Sequence, residues 1–338
     1  MRSLFGPAIV VVTSVVAIGV LYAANEAPPP PWAYGFAAPA SATPPAAAPA
    51  APAGGRGAAP AAAPDESPKK VPGSAGAFTL AQIRDAFGPA DWFPGDHPPM
   101  PDVVVHGRAP DVRGCAMCHM PNGLGRPENA PIAGLPYTYV VQQLSDFKND
   151  LRTSAEPRKT NTAQMIQAAK AMTDDEVKAA ATYLSSLKWK PWIKVVEADT
   201  VPHMRLSGNV FFAIGDGETE PLGKRIVETP LDNTRFELRD PHSGFTAYVP
   251  TGSLTRGAAL VSSGGNKTLP CGICHGQDLD GLGPVPGIAG RSPSYIVRQL
   301  YDIQQGTRKG TWSPLMKQVV DKLTQDDMIA VAAYVASR

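Results

Sequence analysis

The chain opens with an apolar run, Leu4 to Ala24, that holds no charged side chain. These 21 residues, at about 1.5 Å rise each, span roughly 30 Å, the hydrocarbon thickness of a bilayer. Arg2 precedes the run, which leaves the N-terminus in the cytoplasm. The pattern predicts an uncleaved transmembrane anchor over residues 1–25. A cleaved signal peptide competes, but its apolar core would be unusually long, and Tyr22 spoils the small-x-small pattern before Ala24. Either way the folded part lies outside the cytoplasm. From Ala27 to about Pro64 the pattern disappears: proline and alanine dominate, without aliphatic core residues or periodicity. Such a stretch cannot bury enough apolar surface to offset its ordering entropy. Residues 26–75 therefore read as a disordered, semi-rigid tether.

Beyond it, helical spacing takes over. Thr173-Asp174-Asp175-Glu176 is a capping-box start, followed by the stripe Val177, Ala180, Ala181, Leu184. Thr324 opens a matching helix with Met328, Val331, Ala332 and Val335 on its stripe. Tyr139 to Phe147 and Tyr295 to Ile303 read as the helices before these two, and Ser253 to Val261 as a further one. The place in the first half that corresponds to this last helix, Pro101 to Arg108, is a poor helix. Thr79 to Phe87 is expected to supply one instead. Between Val195 and Pro250 the composition changes. Asn209 to Ile214, Lys224 to Glu228 and Phe245 to Tyr248 are strand-like, with turns at Gly215-Asp216-Gly217, Asp240-Pro241 and Ser243-Gly244. A small β-rich insert over residues 195–250 is expected to brace its neighbours or to dock a partner through Phe211, Phe212, Arg235, Phe236, Arg239, Phe245 and Tyr248; a plain connector is the alternative.

The two helical halves, residues 76–194 and 251–338, are copies of one unit. Ile132-Ala133-Gly134 recurs 156 positions later as Ile288-Ala289-Gly290; so do Tyr139 as Tyr295, Gln143-Leu144 as Gln299-Leu300 and Arg152 as Arg308. Five residues are then missing from the second copy, and at an offset of 151 Met165 matches Met316, Thr173 Thr324, Asp175 Asp326 and Tyr183 Tyr334.

Composition adds two constraints. Net charge is +1 and there is no long basic run, so nucleic acid is not an expected partner. All four cysteines fall in two matched pentapeptides, CAMCH at 115–119 and CGICH at 271–275. Two disulfides, a redox-active pair and a four-thiolate zinc site are each possible for bare Cys-x-x-Cys. The histidine decides. Cys-x-x-Cys-His is the attachment signature of c-type haem. Cys115 with Cys118, and Cys271 with Cys274, would add to the haem vinyl groups, and His119 and His275 would become the proximal iron ligands. Low-spin electron-transfer haem needs a second axial ligand, often a methionine thioether. Met165 and Met316 are the methionines that recur at matched positions, 46 and 41 residues after their histidines. His97, His106, His203 and His242 are the weaker candidates for that role. Arg152 and Arg308 are candidates for haem propionate contacts, with solvated surface arginines as the alternative.

Each half resembles a class I cytochrome c, and the tandem resembles the dihaem cytochrome c4 family. The resemblance is carried by both CxxCH motifs, the GLP-x-x-Y and GRSPSY turns, the QQL and RQL helices and the methionines, over roughly 102–190 and 251–338. It implies a mainly α protein: two small haem-centred helical domains, here separated by the β-rich insert and preceded by anchor and tether. The implied activity is electron transfer without substrate chemistry. The expected protein is a membrane-anchored carrier in a respiratory chain, single-pass in a bacterial inner membrane with its two covalent haem c groups in the periplasm. A quinol-oxidising complex or a periplasmic dehydrogenase would be the donor and a terminal oxidase the acceptor. The rivals are a fixed relay subunit of a larger dehydrogenase or oxidase, and a dihaem peroxidase or sulfur-compound oxidase.

Overall fold

The computed structural model describes residues 28–37 and 65–338. The apolar run expected as an anchor lies outside the described residues, and among those described no helix is long and apolar enough to cross a membrane.

The first half comprises α1 (Leu80–Ile83), α2 (Asp102–Val105), a small hairpin of β1 (Gly107–Arg108) and β2 (Val112–Arg113), α3 (Cys115–His119), α4 (Tyr137–Lys148), α5 (Thr160–Ala171) and α6 (Asp174–Ser186). The capping box forms as read: the Thr173 side chain accepts from Glu176 N, and the Glu176 carboxylate accepts from Thr173 N. The stripe of α6 buries Ala180, Ala181 and Leu184 in a core shared with Val140 of α4 and with Val103 and Val104 of α2. Here the expectation for Thr79 to Phe87 fails. α1 is one capped turn whose Ile83 packs with Val71, Trp92 and Leu238 in a separate small core. α2 takes the place instead, held to a single turn between Pro101 and Gly107 but burying both of its central valines.

The insert contains β3 (Ile193–Glu197), β4 (Thr200–Pro202), β5 (Met204–Ser207), β6 (Val210–Ala213), β7 (Thr219–Pro221), β8 (Val227–Pro230), α7 (Asn233–Glu237) and β9 (Phe245–Val249). β9 is central in a three-stranded sheet, parallel to β3 and antiparallel to β8. β5 and β6 form a hairpin whose Gly208-Asn209 turn takes positive φ at both positions, as a type I′ turn requires. The aromatic residues considered for docking are core residues. Phe211, Phe212, Phe236 and Phe245 are all buried, and Phe236 meets Phe212 and Phe245 edge-on at 5.1 and 5.9 Å. The arginines turn inward too: Arg235 pairs with Asp240 at 2.7 Å, and Arg239 donates to Met117 O of the first half. Glu228 accepts from Ser292 Oγ and Ser294 N of the second half at 2.8 and 2.7 Å. The insert is therefore a brace between the halves.

The second half runs α8 (Ser253–Ser263), α9 (Gly272–His275), the hairpin β10 (Gly281–Leu282) and β11 (Val285–Pro286), α10 (Pro293–Gln304), α11 (Ser313–Val320) and α12 (Gln325–Ala336). α8 crosses α12 at Gly257, where a Cβ would lie 2.0 Å from Ala330 O. The repeat extends to single hydrogen bonds. Ile132 N and Ala133 N both donate to Gly123 O, and Ile288 N and Ala289 N both donate to Leu279 O.

The expected tether is corrected at residues 28–37, which are docked on the body. Pro31–Tyr34 form a 3-10 turn, and Ala33 and Tyr34 are wholly buried in the core of the second half. Arg298 donates to Ala33 O, Asn209 Nδ2 to Gly35 O, and Gln325 Nε2 to Pro28 O at 2.9 Å. Composition concealed this because three aromatic residues, Trp32, Tyr34 and Phe36, supply the apolar surface within an otherwise proline- and alanine-rich stretch.

Candidate functional site

α3 and α9 are single turns whose backbone brings two thiols and an imidazole together: Cys115, Cys118 and His119 on one, and Cys274 and His275 on the other with Cys271 at its N-cap. His119 Nδ1 lies 2.8 Å from Ala130 O, and His275 Nδ1 lies 2.8 Å from Pro286 O, eleven residues on in each copy. A carbonyl can only accept, so Nδ1 carries the hydrogen and Nε2 keeps its lone pair. This is how a metal-ligating histidine is oriented. Burial lowers both imidazole pKa values, which favours the neutral, ligating form.

None of the four cysteines is in a disulfide. Burial pushes Cys115 up to about 12 and Cys271 up to about 11, and raises Cys118. A redox-active Cys-x-x-Cys needs a lowered thiol pKa, so these pairs are poorly suited to disulfide exchange. Nor do they gather for zinc: among the described residues the cluster with metal-ligand spacing is His203, Asp216 and Glu218.

A cavity of about 250 Å³ opens beside α3. Cys115, Cys118 and His119 line it, and so does Met165 from α5, so the proposed ligand pair of the first half faces one space. Its walls are largely apolar, including Leu135, Val140 and Phe147. The second half and the docked segment close it with Tyr295, Arg298, Gln299, Asp302 and Tyr34. In the second half, Met316 of α11 is half-buried and packs against the same core as Cys271.

Lys159 also lines this cavity. It is 4% exposed, and its Nζ has no hydrogen-bond partner. Burial, then the nearby Arg298 charge, push its pKa down to about 7 against the opposing pull of Glu128. Glu128 Oε2 is likewise unpaired, while its other oxygen pairs with Arg126. A buried ammonium without an acceptor is costly. A carboxylate-bearing cofactor in the cavity would supply the acceptor, and two thiols, an oriented imidazole and a thioether around an apolar space suit a covalent haem.

Arg152 and Arg308 are paired in an antiparallel bridge across the boundary between the halves and have reciprocal partners. Arg152 donates to Gln143 Oε1, Tyr295 OH and Gln299 Oε1 at 2.8, 3.1 and 2.9 Å. Arg308 donates to Gln299 Oε1, Tyr139 OH and Gln143 Oε1 at 3.0, 2.8 and 3.0 Å. Neither is a solvated surface arginine, and Arg152 lines the cavity. The weaker histidine candidates stay away from it: His106 bonds Phe87 O, His203 pairs with Asp216, His242 pairs with Asp96, and His97 Nδ1 bonds Pro98 O. Sequence reading missed Lys159, Arg298 and Tyr34. Lys159 lies between Arg152 and Met165, the stretch from which the second copy lacks five residues, so the repeat assigns it no counterpart. The matched pairs Tyr139/Tyr295 and Gln143/Gln299 were visible as repeat positions, but without their role.

The family model for cytochrome c matches residues 109–188. A thiosulfate dehydrogenase electron acceptor from Thiomonas intermedia is 26% identical over 235 residues, 68% of this chain and 80% of that protein. Cytochrome c-554(548) from Halomonas halodenitrificans is 33% identical over 82 residues, 24% of this chain and 99% of that protein. Cytochrome c4 from Azotobacter vinelandii is 30% identical over 92 residues, 25% of this chain and 44% of that protein.

Proposed function

The chain belongs to the cytochrome c family, and from that premise we propose that it binds two covalent haem c groups and passes electrons between redox partners on the periplasmic face of a bacterial inner membrane. It is an electron-transfer protein similar to cytochrome c4 and to thiosulfate dehydrogenase electron acceptors. Cys115 with Cys118 and Cys271 with Cys274 would form the thioethers. His119 with Met165, and His275 with Met316, would hold the two irons. When bound, each haem iron supplies a one-electron couple. The chain does the rest. The Ala130 and Pro286 carbonyls hold the imidazoles in one tautomer and orientation, and the apolar walls keep water out. Lys159 and Arg152, which line the cavity, would meet the propionates of the first haem, and Arg308 is the matching candidate in the second half. The observation that carries this reading is the doubled Nδ1–carbonyl bond, which prepares Nε2 of both histidines in the same way.

The anchor reading rests on the uncharged run Leu4 to Ala24. A periplasmic dehydrogenase is favoured as donor over a quinol-oxidising complex, because two relatives matched over 68% of this chain are named thiosulfate dehydrogenase electron acceptors. A terminal oxidase is the proposed acceptor. The same relatives favour a second reading, a fixed relay subunit of a dehydrogenase complex, which stoichiometric copurification of the two proteins would distinguish.

The test is a redox titration followed in the visible and near-infrared. The purified chain should hold two haems and show the sulfur-to-iron charge-transfer band. Met165→Ala and Met316→Ala should each remove about half of that band, since one of two thioether ligands is lost. A band untouched by either substitution, or a chain with fewer than two haems, overturns the assignment.

A further inference from the structure

The docked segment bears on how the body sits relative to the membrane. Residues 28–37 are held from three sides. Ala33 and Tyr34 are buried in the core of the second half, and Tyr34 Oη donates to Asp302 Oδ1 at 2.7 Å. Asn209 of the insert holds Gly35, whose φ of 80° brings it so near that a Cβ would lie 2.4 Å from Asn209 O. Arg158 of the first half stacks over the Phe36 ring at 4.4 Å. At the near end, Gln325 at the start of α12 holds Pro28 O.

We infer that this segment moors the body at the membrane surface, so that the face carrying Pro28, the start of α12 and Lys224 lies against the lipid head groups. The inference rests on the anchor reading above. Between Ala24, the last residue of the apolar run, and Pro28 there are four Cα steps, which reach at most about 14 Å however they are arranged. A proline-rich tether over residues 26–75 could instead extend on the order of 100 Å. Ala37 and Asp65 are both described as part of the body, so the number of residues between them does not set the reach. Lys224, with a side chain 81% exposed and paired to Asp326 beside Gln325, places a cation on the face that would meet phosphate groups. The haem body would then meet its partners in a restricted orientation rather than on a long swinging arm.

The test uses the full chain with its haems, reconstituted in phosphatidylcholine–phosphatidylglycerol vesicles doped with a fluorescent-headgroup lipid. Haem quenches that fluorophore by energy transfer at short range. Strong quenching is expected, falling severalfold when a ten-residue Gly-Ser spacer is inserted between Glu26 and Ala27 and unchanged when residues 41–60 are deleted. Weak quenching that responds to the deletion but not to the spacer overturns the mooring. Rapid chymotryptic cleavage at Trp32 or Tyr34 of the folded, vesicle-bound chain also overturns it, and leaves the anchor reading standing. A chain that does not partition into the vesicles overturns the anchor reading and the mooring with it.

Discussion

Lys159 shows how one buried side chain can tune the cavity it lines. Its Nζ has no acceptor in the chain and lies in a low-dielectric setting, where a charge acts strongly on a nearby redox centre. A positive charge there favours the reduced haem. With the two proposed haems bound, Lys159→Met should therefore lower the potential of the first by about 60 mV, the equivalent of a tenfold change for a one-electron couple, and leave the second unchanged. Spectroelectrochemical titration of both haems checks this; equal shifts in both, or a rise in the first, count against the assigned role. At this scale the cysteines and histidines were legible, because covalent attachment dictates their spacing. Lys159 was not, because nothing in the local sequence distinguishes it from a surface lysine.

Among the elements, the helices with caps and apolar stripes were the most legible. α6 and α12 begin at capping boxes on Thr173 and Thr324. α5 escaped notice because a single residue, Ala169, is buried along its length, so no stripe marks it. The closest crossing, α8 on α12, depends on Gly257. A Cβ there would lie 2.0 Å from Ala330 O and 2.6 Å from Tyr334 Cβ, so the helices would have to separate. Gly257→Ala should destabilise the second half by about 3 kcal/mol, the upper range for overpacking, despite the better helix propensity of alanine. Thermal unfolding followed by circular dichroism measures it; an unchanged or raised midpoint would show that the helices can part freely.

On the scale of the molecule, the two halves meet as an isologous pair would, each giving the other the same residues. Gln143 Oε1 and Gln299 Oε1 each accept from both Arg152 and Arg308. Removing either amide leaves buried guanidinium donors unpaired, at a cost of about 2 kcal/mol. Gln143→Ala and Gln299→Ala should each destabilise by that amount, and the double variant should depart from additivity by about 1 kcal/mol because both serve the same two arginines. A double-mutant cycle in chemical denaturation tests this, and strict additivity would refute the shared network. The boundary has further ties: Arg291 donates to Pro131 O and Ala133 O, and Trp189 Nε1 donates to Ala289 O.

The sequence alone determined what depends on neighbours along the chain: the CxxCH chemistry, the capped helices, the turn glycines and the duplication that ties them together. The tertiary structure decided what depends on burial. It turned the aromatic residues of the insert into core, moved α1 out of the first half's helical core, and drew Tyr34 onto Asp302 across 268 positions of sequence. Spacing is a property of the covalent chain, whereas burial is settled by surfaces that meet only once the chain has folded.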